Sequence, residues 1–93
     1  MSEEDELCVL ATIANKRGLH ARAAAKFVKV VESFSSDIEV VKDDMRVSGR
    51  SIMGLMMLAA GAGSTIRLCG RGRDAAEALE TLTDLVKRKF DEE

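Results

Sequence analysis

Apolar and polar positions alternate from Leu7 to Asn15. Leu7, Val9, Ala11 and Ile13 share one parity, and Cys8, Leu10 and Thr12 share the other. A period of two predicts a half-buried strand. Lys16-Arg17-Gly18-Leu19 then reads as a charged, glycine-containing loop. From Ala21 to Phe34 the period lengthens: Ala24, Phe27, Val28 and Val31 follow i, i+3, i+4, i+7 spacing, which predicts a helix with one apolar stripe. Ile38–Val41 and Met45–Val47 predict two strands joined at Asp43-Asp44, a hairpin. Ile52–Leu58 is a short apolar run with Ser51 at its N-cap position. Thr65–Arg71 alternates again, with Ile66 and Leu68 opposed to Arg67, Cys69 and Arg71. Finally Ala75, Ala78, Leu79, Leu82, Leu85 and Val86 mark a second long helix that runs to about Lys89. Asp74-Ala75-Ala76-Glu77 has the form of a capping box at its start, and Lys87, Arg88 and Lys89 suit its negative end.

The order is β-α-β-β-short α-β-α. Two amphipathic helices over strands with one apolar parity predict a two-layer α/β sandwich whose other sheet face is wet. A chain of 93 residues fits a single domain, 1–93, with little room for a buried cofactor. The acidic stretch at residues 1–6 is expected to be disordered, and its sign is wrong for a secretory or transit peptide.

Composition narrows the function classes. No apolar run approaches the roughly 18 residues that span a bilayer, so the cytoplasm is the expected location. Formal net charge is −2, with no Trp or Tyr and three Phe. Backbone neutralisation and base stacking therefore lack their raw material, and nucleic acid is not an expected partner. Cys8 and Cys69 form no CxxC, and one histidine cannot complete a zinc site with them. Reduced thiols, no metal and no cofactor are expected. Gly70 and Gly72 open a GxG that lacks its third glycine, and Leu55 stands where a P-loop needs lysine. No nucleophile is spaced to make a hydrolytic triad with the sole histidine.

That histidine, His20, sits where the loop becomes the first helix. The first N–H groups of a helix lack backbone acceptors and attract negative charge. Arg22, in the first turn, adds a guanidinium that can offer paired donors to an anion. Both features disfavour an imidazolium and favour a neutral ring with a free lone pair. Phosphoryl transfer depends mainly on positioning and charge stabilisation, so these few groups suffice for phosphoryl capture. A solvated histidine or a modest cap has the same sequence, and the residues alone leave both readings open.

Gly18-Leu19-His20-Ala21-Arg22, followed by Ala23-Ala24-Ala25-Lys26-Phe27-Val28, resembles the active-site segment of HPr, the histidine-containing phosphocarrier of the bacterial phosphoenolpyruvate-dependent phosphotransferase system. Gly49-Arg50-Ser51-Ile52-Met53-Gly54-Leu55-Met56 resembles that family's regulatory-serine segment, and the likeness extends over about residues 7–90. The resemblance implies an open-faced sandwich, with a four-stranded antiparallel sheet in order 1-4-2-3 and three helices on one face. It implies that His20 accepts phosphate on Nδ1 and that Arg22 contacts the phosphoryl group. Phosphate would come from enzyme I, or a nitrogen-related enzyme I, and pass to a IIA component. Ser51 matches the serine phosphorylated by HPr kinase in part of the family. Ala23 departs from the usual proline, which leaves room for a nitrogen-related or regulatory branch beside the sugar-transport branch.

Ile52, Met53 and Met56 are too apolar for so short a helix to bury entirely, so they are expected to dock partners, with Lys26 and Lys29 rimming the patch. The expected product is a monomeric phosphocarrier, not an enzyme. The alternative is a regulatory binding module of the same fold controlled at Ser51. With strands one and four adjacent, a Cys8–Cys69 disulfide is geometrically conceivable, although thiols remain the expectation.

Overall fold

The computed structural model describes residues 5–92. Four strands, β1 (Leu7–Thr12), β2 (Asp37–Lys42), β3 (Met45–Ser48) and β4 (Thr65–Arg71), form one antiparallel sheet in the order β1-β4-β2-β3. Helices α1 (Ala21–Glu32), α2 (Ile52–Met57) and α3 (Ala75–Lys87) complete the fold, and a 3-10 turn follows at Lys89–Asp91. This is the expected open-faced sandwich.

The two long stripes do what their spacing dictates. Ala24, Phe27, Val28 and Val31 of α1 and Ala78, Leu79, Leu82, Leu85 and Val86 of α3 join Ile38, Val40, Ile66 and Leu68 of the sheet in one buried core. Each such Val, Leu, Ile or Phe side chain contributes about 1.5–3 kcal/mol by leaving water. Among strand positions, Val9 departs from its parity. It is 37% exposed because β1 is an edge strand, with β4 as its sole sheet neighbour among the described residues.

Three local expectations are corrected. Asp74 makes no side-chain bond to its own helix. Its carboxylate instead accepts from the Ser35 and Ser36 amides, both at 2.9 Å, and from the Ser36 hydroxyl. Those bonds tie the start of α3 to the chain leaving α1, and they hold the Asp74 carboxyl below its usual range. The capping box fails because the donors of a neighbouring turn are better placed than those of its own.

Helix α3 ends at Lys87, not Lys89. Lys89, Phe90 and Asp91 have φ of 59°, 54° and 62°, a left-handed turn that costs about 1–2 kcal/mol per residue. The turn drives Phe90 into the core, where it is fully buried.

The third correction concerns Cys8 and Cys69, which are joined in a disulfide. The β1–β4 register sets them directly opposite each other. Compartment arguments favoured thiols, but cross-strand adjacency brings the sulfurs within bonding reach. Of the stretch expected to be disordered, residues 1–4 lie outside the described residues. Glu6 pairs with Arg46 at 3.4 Å.

Candidate functional site

Residues from four stretches of chain meet at the start of α1. Gly18 adopts φ of 64°, and a Cβ there would strike the Ala60 carbonyl oxygen and come within 2.8 Å of Gly61 Cα. Only glycine lets the loop lie this close to the segment after α2. The Leu19 amide then donates to the Ala60 carbonyl at 2.9 Å, and the Leu19 side chain is buried. These contacts leave His20 extended, with φ of −78° and ψ of 177°, as the N-cap of α1. Its carbonyl accepts the Ala24 amide at 2.8 Å, the first turn's closing bond.

The imidazole has two different sides. Nδ1 accepts the Arg22 amide at 3.3 Å, a long cap bond. Nε2 meets Glu92 Oε2. An accepting Nδ1 places the ring proton on Nε2, which donates it to the Glu92 carboxylate. The side chains of His20 and Glu92 are 14% and 13% exposed, so the Nε2 side of the ring is shielded while the Nδ1 side faces the helix end.

Glu92 is itself positioned. Asn15, fully buried, donates Nδ2 to Glu92 Oε1 at 2.9 Å and to the Gly18 carbonyl at 2.8 Å. One amide group thus links the loop before His20 to the end of the chain. Desolvation pushes the Glu92 carboxyl upward. The hydrogen bonds from Asn15 and His20, with the charge of Arg17, outweigh it and hold the group below its ordinary value. The left-handed turn that buries Phe90 delivers Glu92 to the ring, and Lys26 Nζ secures that turn by donating to the Phe90 carbonyl at 2.7 Å.

Lys16, Arg17, Arg22 and Lys26, with Asp91 and Glu92, line an open depression of about 380 Å³ beside His20. Four cations face two carboxylates. No acidic residue occupies the first turn of α1. The local field favours an added anion.

The Arg22 amide bonds to His20 Nδ1, and the Arg22 side chain lines the adjoining depression. Lys26 belongs to this depression and is tied to the C-terminal turn; Lys29 is exposed on the last turn of α1. Ser51 lies elsewhere, at the start of α2, where its hydroxyl oxygen accepts the Gly54 amide at 2.9 Å. Ile52, Met53 and Met56 are 41%, 71% and 42% exposed, and Met57 joins them at 62%. Leu55 alone of that helix is buried. Helix α2 packs beside α1, and the Ala59–Gly61 segment after it flanks His20.

Sequence reasoning missed Glu92 and Asn15. Glu92 stands in a short acidic tail with no periodicity. Asn15 follows the apolar parity of β1 as a polar residue, a faint signal that it satisfies loop groups from within. Among the described residues, Glu6, Cys8 and Cys69 form one group with metal-ligand chemistry, but its two sulfurs are bonded to each other. Among the described residues, no helix is long and apolar enough to cross a membrane.

Residues 9–88 match the family model described as the PTS HPr component phosphorylation site. The chain is 54% identical over 80 residues to the phosphocarrier protein HPr of Neisseria meningitidis, covering 86% of this chain and 90% of that protein. It is 47% identical over 81 residues to the phosphocarrier protein NPr of Shewanella violacea, covering 87% and 89%. The solved HPr of Thermoanaerobacter tengcongensis superposes with a TM-score of 0.85 at 45% identity, over 96% of this chain and 98% of that one. A match of this extent, over a fold with its sole histidine capping α1, makes the chain a member of the HPr family, phosphocarriers of the phosphotransferase system rather than enzymes.

Proposed function

We propose that this protein accepts a phosphoryl group on His20 Nδ1 from enzyme I, or a nitrogen-related enzyme I, and hands it to a IIA component in the cytoplasm. The observation that carries the reading is the asymmetric ring: Nε2–H rests on Glu92, and the Nδ1 lone pair faces the start of α1. In the transfer, that lone pair forms a bond to phosphorus as the bond from phosphorus to the donor's nitrogen breaks. The donor ring keeps the electron pair. The His20 ring becomes cationic with its proton still on Nε2, and the Glu92 carboxylate stabilises that charge. The Arg22 amide, released from Nδ1, and the Arg22 guanidinium are then free to bond phosphoryl oxygens.

The exposed Ile52, Met53 and Met56 next to this site give donor and acceptor proteins an adaptable apolar surface. Lys29 and the depression that includes Lys26 supply positive charge toward acidic partners. Ser51 is the regulatory position: a phosphate there would add charge at the start of α2 beside the docking surface, the product of an HPr kinase. The carrier works as a monomer, presenting one site to successive partners.

The test is incubation with phosphoenolpyruvate and enzyme I, followed by mapping of acid-labile phosphate. Label on His20, and none in a His20→Ala chain, supports the reading. Label absent from wild-type protein, or found on another residue, overturns it.

A further inference from the structure

The disulfide lies apart from the chemistry at His20, and its surroundings suggest a role of its own. Cys8 lies on the edge strand β1 and Cys69 on the central strand β4, directly opposite in register. Both point to the face of the sheet that no helix covers. Cys8 is exposed, whereas Cys69 is 1% exposed. The bond spans 61 residues, so the ring it closes contains α1, His20, the β2–β3 hairpin and α2. Strand β1 has one sheet neighbour, and it leads directly into the loop of Asn15 and Gly18 that seats His20.

We propose that Cys8 and Cys69 are a reversible redox site that staples the edge strand β1 to the sheet when oxidised. The oxidant is a low-molecular-weight disulfide of the glutathione class. The exposed Cys8 thiolate attacks one glutathione sulfur, and the first glutathione leaves as thiolate and takes up the proton that Cys8 released. Cys69 then attacks Cys8 Sγ in the mixed disulfide, forming the protein disulfide and releasing the second glutathione with the second proton. Two electrons pass from the cysteine pair to the oxidant. A dithiol reductant reverses the sequence by attacking the accessible Cys8 sulfur, with Cys69 as leaving group.

Closing so long a ring restrains the open chain far more than the folded one. Reduction therefore raises the frequency with which β1 leaves β4, and amide exchange across Leu7–Thr12 should quicken by at least about tenfold. The bond does not touch His20, so this proposal stands or falls independently of the phosphocarrier reading.

The full chain is equilibrated in buffers of graded reduced-to-oxidised glutathione ratio. Remaining thiols are alkylated, intact mass is read, and amide exchange is followed by mass spectrometry. The expected result is a reversible conversion between a doubly alkylated chain and one lacking two hydrogens and bearing no adduct, with faster β1 exchange in the reduced form. A Cys69→Ser chain should show the fast β1 exchange in every buffer. Should that variant fail to fold, the wild-type series carries the test alone. Thiols that persist in fully oxidising buffer, a bond formed only between two chains, a bond that dithiothreitol leaves intact, or β1 exchange that is equal in both forms would each overturn the proposal.

Discussion

Helices α1 and α2 both begin with a side chain accepting a backbone amide, but the two starts are built for different ends. At α2, Ser51 accepts from Gly54 at 2.9 Å. Gly54 permits that approach, since a Cβ on it would lie 3.0 Å from the Ser51 hydroxyl oxygen. This is a compact structural cap that local sequence makes by itself. At α1 the cap is an aromatic ring at 3.3 Å, in a turn with no acid and one arginine. The ring needs Asn15, the Ala60 carbonyl, the buried Phe90 and Glu92 to hold it. A serine would satisfy the amide with less support. The additional scaffolding keeps the Nδ1 lone pair of His20 at a cationic helix end.

Substitutions at the two starts should therefore differ in kind. Phe90→Ala removes the anchor of the left-handed turn and should cost about 3–5 kcal/mol in chemical denaturation. It should also weaken phosphate uptake, because Glu92 loses its position; full uptake in the folded variant would separate the turn from the site. Arg22→Ala should leave stability nearly unchanged and slow phosphotransfer by about 10²-fold, the usual effect of deleting one charge-stabilising donor.

Glu92→Gln should slow transfer by about tenfold, through loss of a charge-assisted hydrogen bond to the ring. Its pH signature is specific. A carboxyl whose folded pKa is depressed contributes stability that is present above its unfolded value and lost as pH falls through its folded value. The wild-type contact should thus persist as pH falls through 4.5 and be lost only below it. In Glu92→Gln this titration should be absent from the imidazole NMR signals. Ser51→Ala is the smallest change: about 1 kcal/mol, or a melting temperature lower by about 4–8 °C, with phosphate uptake on His20 unchanged.

The periodic parts of this chain were legible from sequence because burial imposes period on them. The stripe from Ala24 to Val31 and the stripe from Ala75 to Val86 are both buried as spaced. His20, Arg22 and the exposed Met53 were legible because their types sit oddly in those patterns. Glu92 was not. It reaches His20 through a turn of three positive-φ residues without a glycine, a conformation that side-chain burial selects against local preference. Asp74 misled for a related reason. Its spacing to Glu77 fits a capping box, yet the better donors, Ser35 and Ser36, arrive from a distant stretch of chain. The disulfide depended on register as well as strand order, and a slip of one residue would have set Cys8 and Cys69 on opposite faces.

The central claim concerns which imidazole nitrogen carries the proton and which receives phosphate. Nitrogen-15 NMR of the His20 ring, recorded before and after phosphorylation by phosphoenolpyruvate and enzyme I, reads both. The account predicts an Nε2–H ring in the free protein and phosphorus coupling to Nδ1 in the phosphorylated one. A proton resident on Nδ1, or phosphorus bonded to Nε2, would contradict it.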